Sequence, residues 1–146
     1  LLYAAAYSMA SIGMFAIVER IPDYTIEGFN GLGKTQPWVA LCATVFLLSL
    51  TGIPLTAGFV AKFWVLMAAI RDGHHLWLVI FAVLCAAVGA VYYFRVIQAI
   101  YFKETPSDAA RSIAVSTGYK WALAVTAALI ILLGILPNLL IDWMYY

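Results

Sequence analysis

The stretch Ser49–Phe63, S-L-T-G-I-P-L-T-A-G-F-V-A-K-F, sits inside an apolar run from Pro37 to Ile70 whose one charge is Lys62. About 20 residues of α-helix cross a hydrocarbon core of ~30 Å, and this run has 34. The surplus coincides with helix-breaking residues. Pro54 has no N–H to give the Leu50 carbonyl and its ring crowds that turn, while Gly52 and Gly58 make bending cheap. The stretch therefore predicts a span broken near Pro54, with helicity interrupted between Leu50 and Gly58. In a bilayer a broken helix survives only where the freed backbone groups meet protein or water. Ser49, Thr51 and Thr56 are hydroxyls placed to satisfy them.

Lys62 is the second anomaly, because intramembrane charge is costly and usually functional. One reading is a snorkelling lysine with its head at the interface. Eight residues from the end of the run, at ~1.5 Å each, put it about 12 Å inside. That lies beyond the comfortable reach of its stem and favours an ion pathway. Proline kinks are common in membrane helices, so Pro54 alone reads as structural; the pairing with Lys62 carries the functional reading.

Composition agrees with a membrane class. Hydrophobic residues make up 66% of the chain and charged residues 10%, against about 25% charged in soluble domains. The net charge of +1 carries no information about partners, and no basic stripe or motif points to nucleic acid. Cys42 and Cys85 stand singly in apolar runs and read as small hydrophobes, not as metal ligands or a disulfide. His74 and His75 fall in a short polar turn and read as a solvated loop.

The remaining pattern predicts an all-α membrane protein with four transmembrane helices, at about 1–19, 37–70, 76–102 and 121–141, forming part of a larger helical bundle. On the first, Tyr7 and Ser11 share one face. That face either packs against a neighbour by hydrogen bonds or hydrates a proton path. On the third, Tyr92, Arg95 and Gln98 recur every three residues. Arg95 either reaches the interface or turns inward, and like-charge repulsion places it near Tyr92 or Gln98 and away from Lys62. The fourth is nearly uniformly apolar and reads as a lipid-facing or packing helix. Pro37 suits a first helical turn, and Tyr92, Tyr93, Tyr101 and Phe102 form an interfacial aromatic belt.

The connectors 20–36 and 103–120 carry Arg20, Lys34, Lys103, Arg111 and Lys120, whereas the opposite turn carries only Arg71. By the positive-inside rule both connectors are cytoplasmic and both ends of the chain outside. Because Leu1 already lies in an apolar run, the expectation is a C-terminal piece of a longer membrane protein, with 1–146 belonging to a single transmembrane domain.

The stretch LSLTGIPLTAGFVAKF, with GLGKTQPWVAL before it and YYFRVIQAIYF after it, resembles the antiporter-like subunits of proton-pumping NADH:quinone oxidoreductase, respiratory complex I. Phe63 directly after Lys62 fits the N-type branch. The resemblance covers nearly the whole chain, as the last four of the family's fourteen helices. It implies a fold with inverted repeats, each holding a discontinuous helix, and makes Lys62 the protonatable relay of the outward half-channel. It further implies that NADH, FMN, iron–sulfur clusters and quinone are handled by other subunits, leaving no cofactor and no metal here. The partners it implies are other antiporter-like and small membrane subunits, the lipid bilayer and protons, in a bacterial inner membrane or its equivalent. Related cation/proton antiporters and membrane-bound hydrogenases share versions of the motif. From another class, a purely structural membrane anchor would use Pro54 and Lys62 for packing.

Overall fold

The structure, a computed structural model, describes residues 2–21, 23–73, 76–104 and 115–136. Among the described residues all regular structure is helical: α1 (Leu2–Val18), a 3-10 turn (Ile26–Phe29), α2 (Leu32–Thr35), α3 (Pro37–Thr51), α4 (Ala57–Asp72), α5 (Leu76–Phe102) and α6 (Thr117–Ile135). α5 and α6 are long and apolar enough to cross a membrane, and α1 and α3 are shorter apolar helices. The predicted second span is divided between α3 and α4, so the break falls where the surplus length and the glycines place it.

α3 is the central element. It packs against α1, α5 and α6, while α4 packs against α1 and α6. Val39, Ala40, Ala43, Phe46, Leu47 and Leu50 of α3 are buried. Small residues govern the approach of α1, where Ala6 and Ala10 are buried and a methyl on Gly13 would lie 2.6 Å from the Phe46 ring. Close packing of this kind holds apolar helices together in lipid, where burial from water gives no drive. α5 is the outlier, with Ala99 and Ile100 as its buried residues and most of its length exposed.

Two elements differ from the pattern read along the chain. The connector 20–36 is not a bare polar link: it folds into the 3-10 turn and α2, burying Phe29 and Leu32. Its Gly31 N–H donates to the Ala99 carbonyl at 3.1 Å, one of the carbonyls that the end of α5 leaves without an intrahelical donor. Tyr101 of α5 and Thr44 of α3 join hydroxyl to hydroxyl at 3.1 Å, tying the same end together. The second difference is the start of the fourth span, which begins at Thr117 instead of 121. Ser116 causes the shift, since its hydroxyl accepts the Tyr119 N–H and caps the helix. Leu123, Ala127 and Ile130 are buried, so α6 is a packing helix. Pro22, the His74–His75 turn, Pro106, Asp108 and Arg111, and the expected exit from Pro137 to Tyr146 lie outside the described residues.

Candidate functional site

At the break, Gly52 ends α3 in the left-handed region at φ 87°. Its N–H donates to Ser49 O at 3.1 Å and to Leu48 O at 3.0 Å, and Ile53 N–H donates to Leu48 O at 3.0 Å. This is the Schellman arrangement, which needs a residue free to take positive φ. Pro54 therefore does not stop α3. It shapes the turn that follows, in which Thr56 N–H reaches back to Ile53 O at 3.3 Å. Leu55 sits at φ 75° in that turn, the position where a type II turn ordinarily holds glycine or asparagine.

Two of the polar residues singled out in the sequence close this turn. Ser49 Oγ accepts the Gly58 N–H at 3.2 Å, joining the end of α3 to the first turn of α4. The Thr56 hydroxyl donates to Ile53 O at 2.7 Å. Thr51 turns back along its own helix and donates to Leu47 O at 2.7 Å. Gly58 is pressed against α3 so closely that an added methyl would meet Ser49 O at 1.8 Å. From the other side, a methyl on Gly134 of α6 would stand 2.5 Å from Leu55 O.

Lys62, on the second turn of α4, bends back to the break. Its Nζ donates to Leu50 O at 2.6 Å and to Thr51 O at 3.0 Å. A helix leaves its last four carbonyls without intrahelical donors. Here Gly52 and Ile53 satisfy Leu48 and Ser49, and the ammonium satisfies Leu50 and Thr51. The lysine thus caps α3 from a different helix, with its charge against the negative end of the α3 dipole. The side chain is half-buried, and two cavities meet beside it.

One cavity, of about 580 Å³, is lined by Lys62, Gly52, Phe63 and Leu66, by Tyr3 and Tyr7 of α1, and by Ala82, Cys85, Ala86, Gly89 and Tyr93 of α5. The other, of about 390 Å³, runs past Ser11 to Tyr24, Thr25 and Phe29 of the connector. Tyr7, Leu50 and Tyr93 line both. The first extends along α4 away from the connector and the second extends toward it, so Lys62 stands near their junction. Tyr7 and Ser11, which share a helix face, are brought to this place. The rings of Tyr3 and Tyr7 stack with centroids 6.1 Å apart.

The polar stripe on α5 is placed elsewhere. The Arg95 guanidinium lies over the Tyr92 ring, 5.9 Å from its centroid, and Tyr92, Arg95 and Gln98 are exposed. Arg95 and Gln98 line neither cavity; Tyr92 lines the smaller one and the neighbouring Tyr93 lines both. Tyr93 was legible in the sequence only as a member of the aromatic belt. The signal that marks it is the row of small residues Ala82, Cys85, Ala86 and Gly89 on the cavity-lining face of α5, which Tyr93 ends one turn later.

Comparison with known proteins gives a consistent result. Residues 1–89 match the family described as NADH:quinone oxidoreductase/Mrp antiporter, transmembrane. The chain is 38% identical to NADH-quinone oxidoreductase subunit N 1 of Solibacter usitatus over 97% of its length, and 37% identical to subunit N of Neisseria gonorrhoeae over 98%. It spans 30% of the length of each of these relatives. Among solved structures, respiratory complex I from Thermus thermophilus with bound aureothin contains a chain that superposes with a TM-score of 0.84 at 28% identity, over 97% of this chain and 33% of that one. With the broken helix, the lysine at its break and a family match over residues 1–89, this chain belongs to the NADH:quinone oxidoreductase/Mrp antiporter transmembrane family.

Proposed function

We propose that this chain is part of a membrane-arm, N-type subunit of a proton-pumping NADH:quinone oxidoreductase in a bacterial energy-coupling membrane, with Lys62 as a protonatable relay. The redox steps and their cofactors belong to partner subunits of the complex. The observation that carries the reading is the position of Lys62: its ammonium sits on the carbonyls of a helix break and lines the larger of two cavities that share Tyr7, Leu50 and Tyr93. An amine there can exchange a proton with water entering from either cavity. Tyr7, Ser11 and Tyr93 are the hydroxyls placed to order such water. A change of two units in a lysine's proton affinity is worth about 2.7 kcal/mol, and moving one charge through 100 mV costs about 2.3 kcal/mol. The relay is therefore matched in size to its task.

A second reading is favoured by the two hydrogen bonds of Lys62 to Leu50 and Thr51, which make it a helix cap and a structural prop. Substitution separates the two. In the assembled complex, Lys62→Ala is expected to reduce proton pumping sharply, with quinone reductase activity falling alongside. Lys62→Arg keeps a cation and donors for the carbonyls but does not release its proton; a relay fails with arginine and a prop tolerates it. Lys62→Glu keeps part of the activity, since a carboxyl in an apolar site also carries a proton. Proton uptake and NADH oxidation in membranes, with assembly verified, decide the matter. Normal pumping by an assembled Ala variant would sink the relay.

A further inference from the structure

The Lys62 side chain does not reach the end of α3 over open space. It lies along Gly52, on the face where any other residue would carry its side chain. An added methyl on Gly52 would stand 3.0 Å from Cδ and 3.3 Å from Nζ of Lys62. Contacts that short require one partner to give way. The backbone of Gly52 is held by its bonds to Leu48 and Ser49, while the lysine stem is flexible, so the stem is what yields. We infer that Gly52 is the positioning residue of this site: its missing side chain forms the seat that brings the Lys62 ammonium onto the Leu50 and Thr51 carbonyls. The inference rests on Lys62 being the working group, and it adds a role for Gly52 distinct from stopping the helix. A methyl at that position asks the lysine stem to give by a few tenths of an ångström, and a larger side chain displaces the ammonium from its acceptors.

Gly73 supplies a matched control. It also follows the end of a helix at positive φ, 74°, but nothing lies within 4 Å of its would-be side chain. A substitution there carries a similar backbone cost without touching a lysine. The experiment compares Gly52→Ala and Gly52→Leu with Gly73→Ala and Gly73→Leu in the intact membrane complex. The reaction rate of Lys62 with a small amine-acylating reagent is followed by mass spectrometry, beside proton pumping. Lys34, an exposed lysine, is the internal reference for reagent access, and assembly of the complex is verified for each variant.

The expected result is a several-fold faster reaction at Lys62 in Gly52→Leu, a smaller increase in Gly52→Ala, and a graded loss of pumping in the same order. Both Gly73 variants should match the parent. Where Gly52→Leu does not assemble, the Ala variant decides. Parental Lys62 reactivity in a folded Gly52 variant, or an equal rise in the Gly73 variants, overturns the inference. Faster reaction at Lys62 with pumping intact would keep the seat and instead count against the relay, so the two failures are distinguishable.

Discussion

Gly58 and Gly89 are two glycines of the same membrane region with opposite environments. A methyl on Gly58 would lie 1.8 Å from Ser49 O, which is backbone and hydrogen-bonded in place, whereas a methyl on Gly89 would meet nothing within 4 Å. Gly58→Ala must therefore push α4 away from α3, breaking the Gly58–Ser49 bond as it does so. A cost of about 1–3 kcal/mol is expected for such overpacking, with the ammonium of Lys62 carried away from its carbonyls. Gly89→Ala should be silent. The amount of assembled protein and its thermal midpoint in detergent check the pair; equal behaviour of the two variants would refute the close approach. Lys62 is the companion case at this scale. Its ammonium bonds two carbonyls that belong to another helix, and the variants described above separate this capping from the proposed relay.

Among the elements, the turn between α3 and α4 stores strain. Leu55 holds φ 75° and is exposed, and left-handed backbone costs an L-residue about 1–2 kcal/mol. The turn keeps it because Pro54 fixes the preceding φ and because the Ile53–Thr56 bonds close the loop. α6 holds the turn from outside through the close approach of Gly134. Strain of this kind is found at functional sites. Leu55→Gly is expected to stabilise by up to about 1 kcal/mol, the relief of strain being partly offset by a looser unfolded chain. Leu55→Val, β-branched at positive φ, should destabilise. Thermal unfolding in detergent tests the order Gly, Leu, Val, and a Val variant as stable as the parent would show that the turn is not held at positive φ.

Across the molecule, α1 and α5 run from one side to the connectors, and α3 and α6 start from the connector side. The cationic residues outside the helices' apolar runs gather at that side, with Arg20, Lys34, Lys103 and Lys120 against Arg71 at the other. The positive-inside bias predicts cytoplasmic connectors. A membrane-impermeant thiol reagent should then label Lys34→Cys from the cytoplasmic face and Gly73→Cys from the opposite one, in a background where Cys42 and Cys85 are replaced by serine. The reverse pattern would invert the orientation.

What the sequence by itself determined is what depends on order along the chain. The apolar runs set the number and type of spans, the excess length with Gly52 and Gly58 set the break, and the lone charge singled out Lys62. These follow from hydrophobic length, backbone freedom and the cost of a charge in lipid, all local properties. The tertiary structure decided which groups meet. It showed that Gly52 stops α3 and Pro54 shapes the turn, that Lys62 bonds the Leu50 and Thr51 carbonyls, and that Tyr93, not Tyr92, lines the larger cavity with Lys62. It also turned the connector into a packed cap through Phe29 and Leu32. The reason is physical. A helix in lipid is apolar on nearly every side, so its sequence does not mark which face turns inward. That rotation is set by the close packing of small residues on neighbouring helices, and it exists only once the helices are assembled.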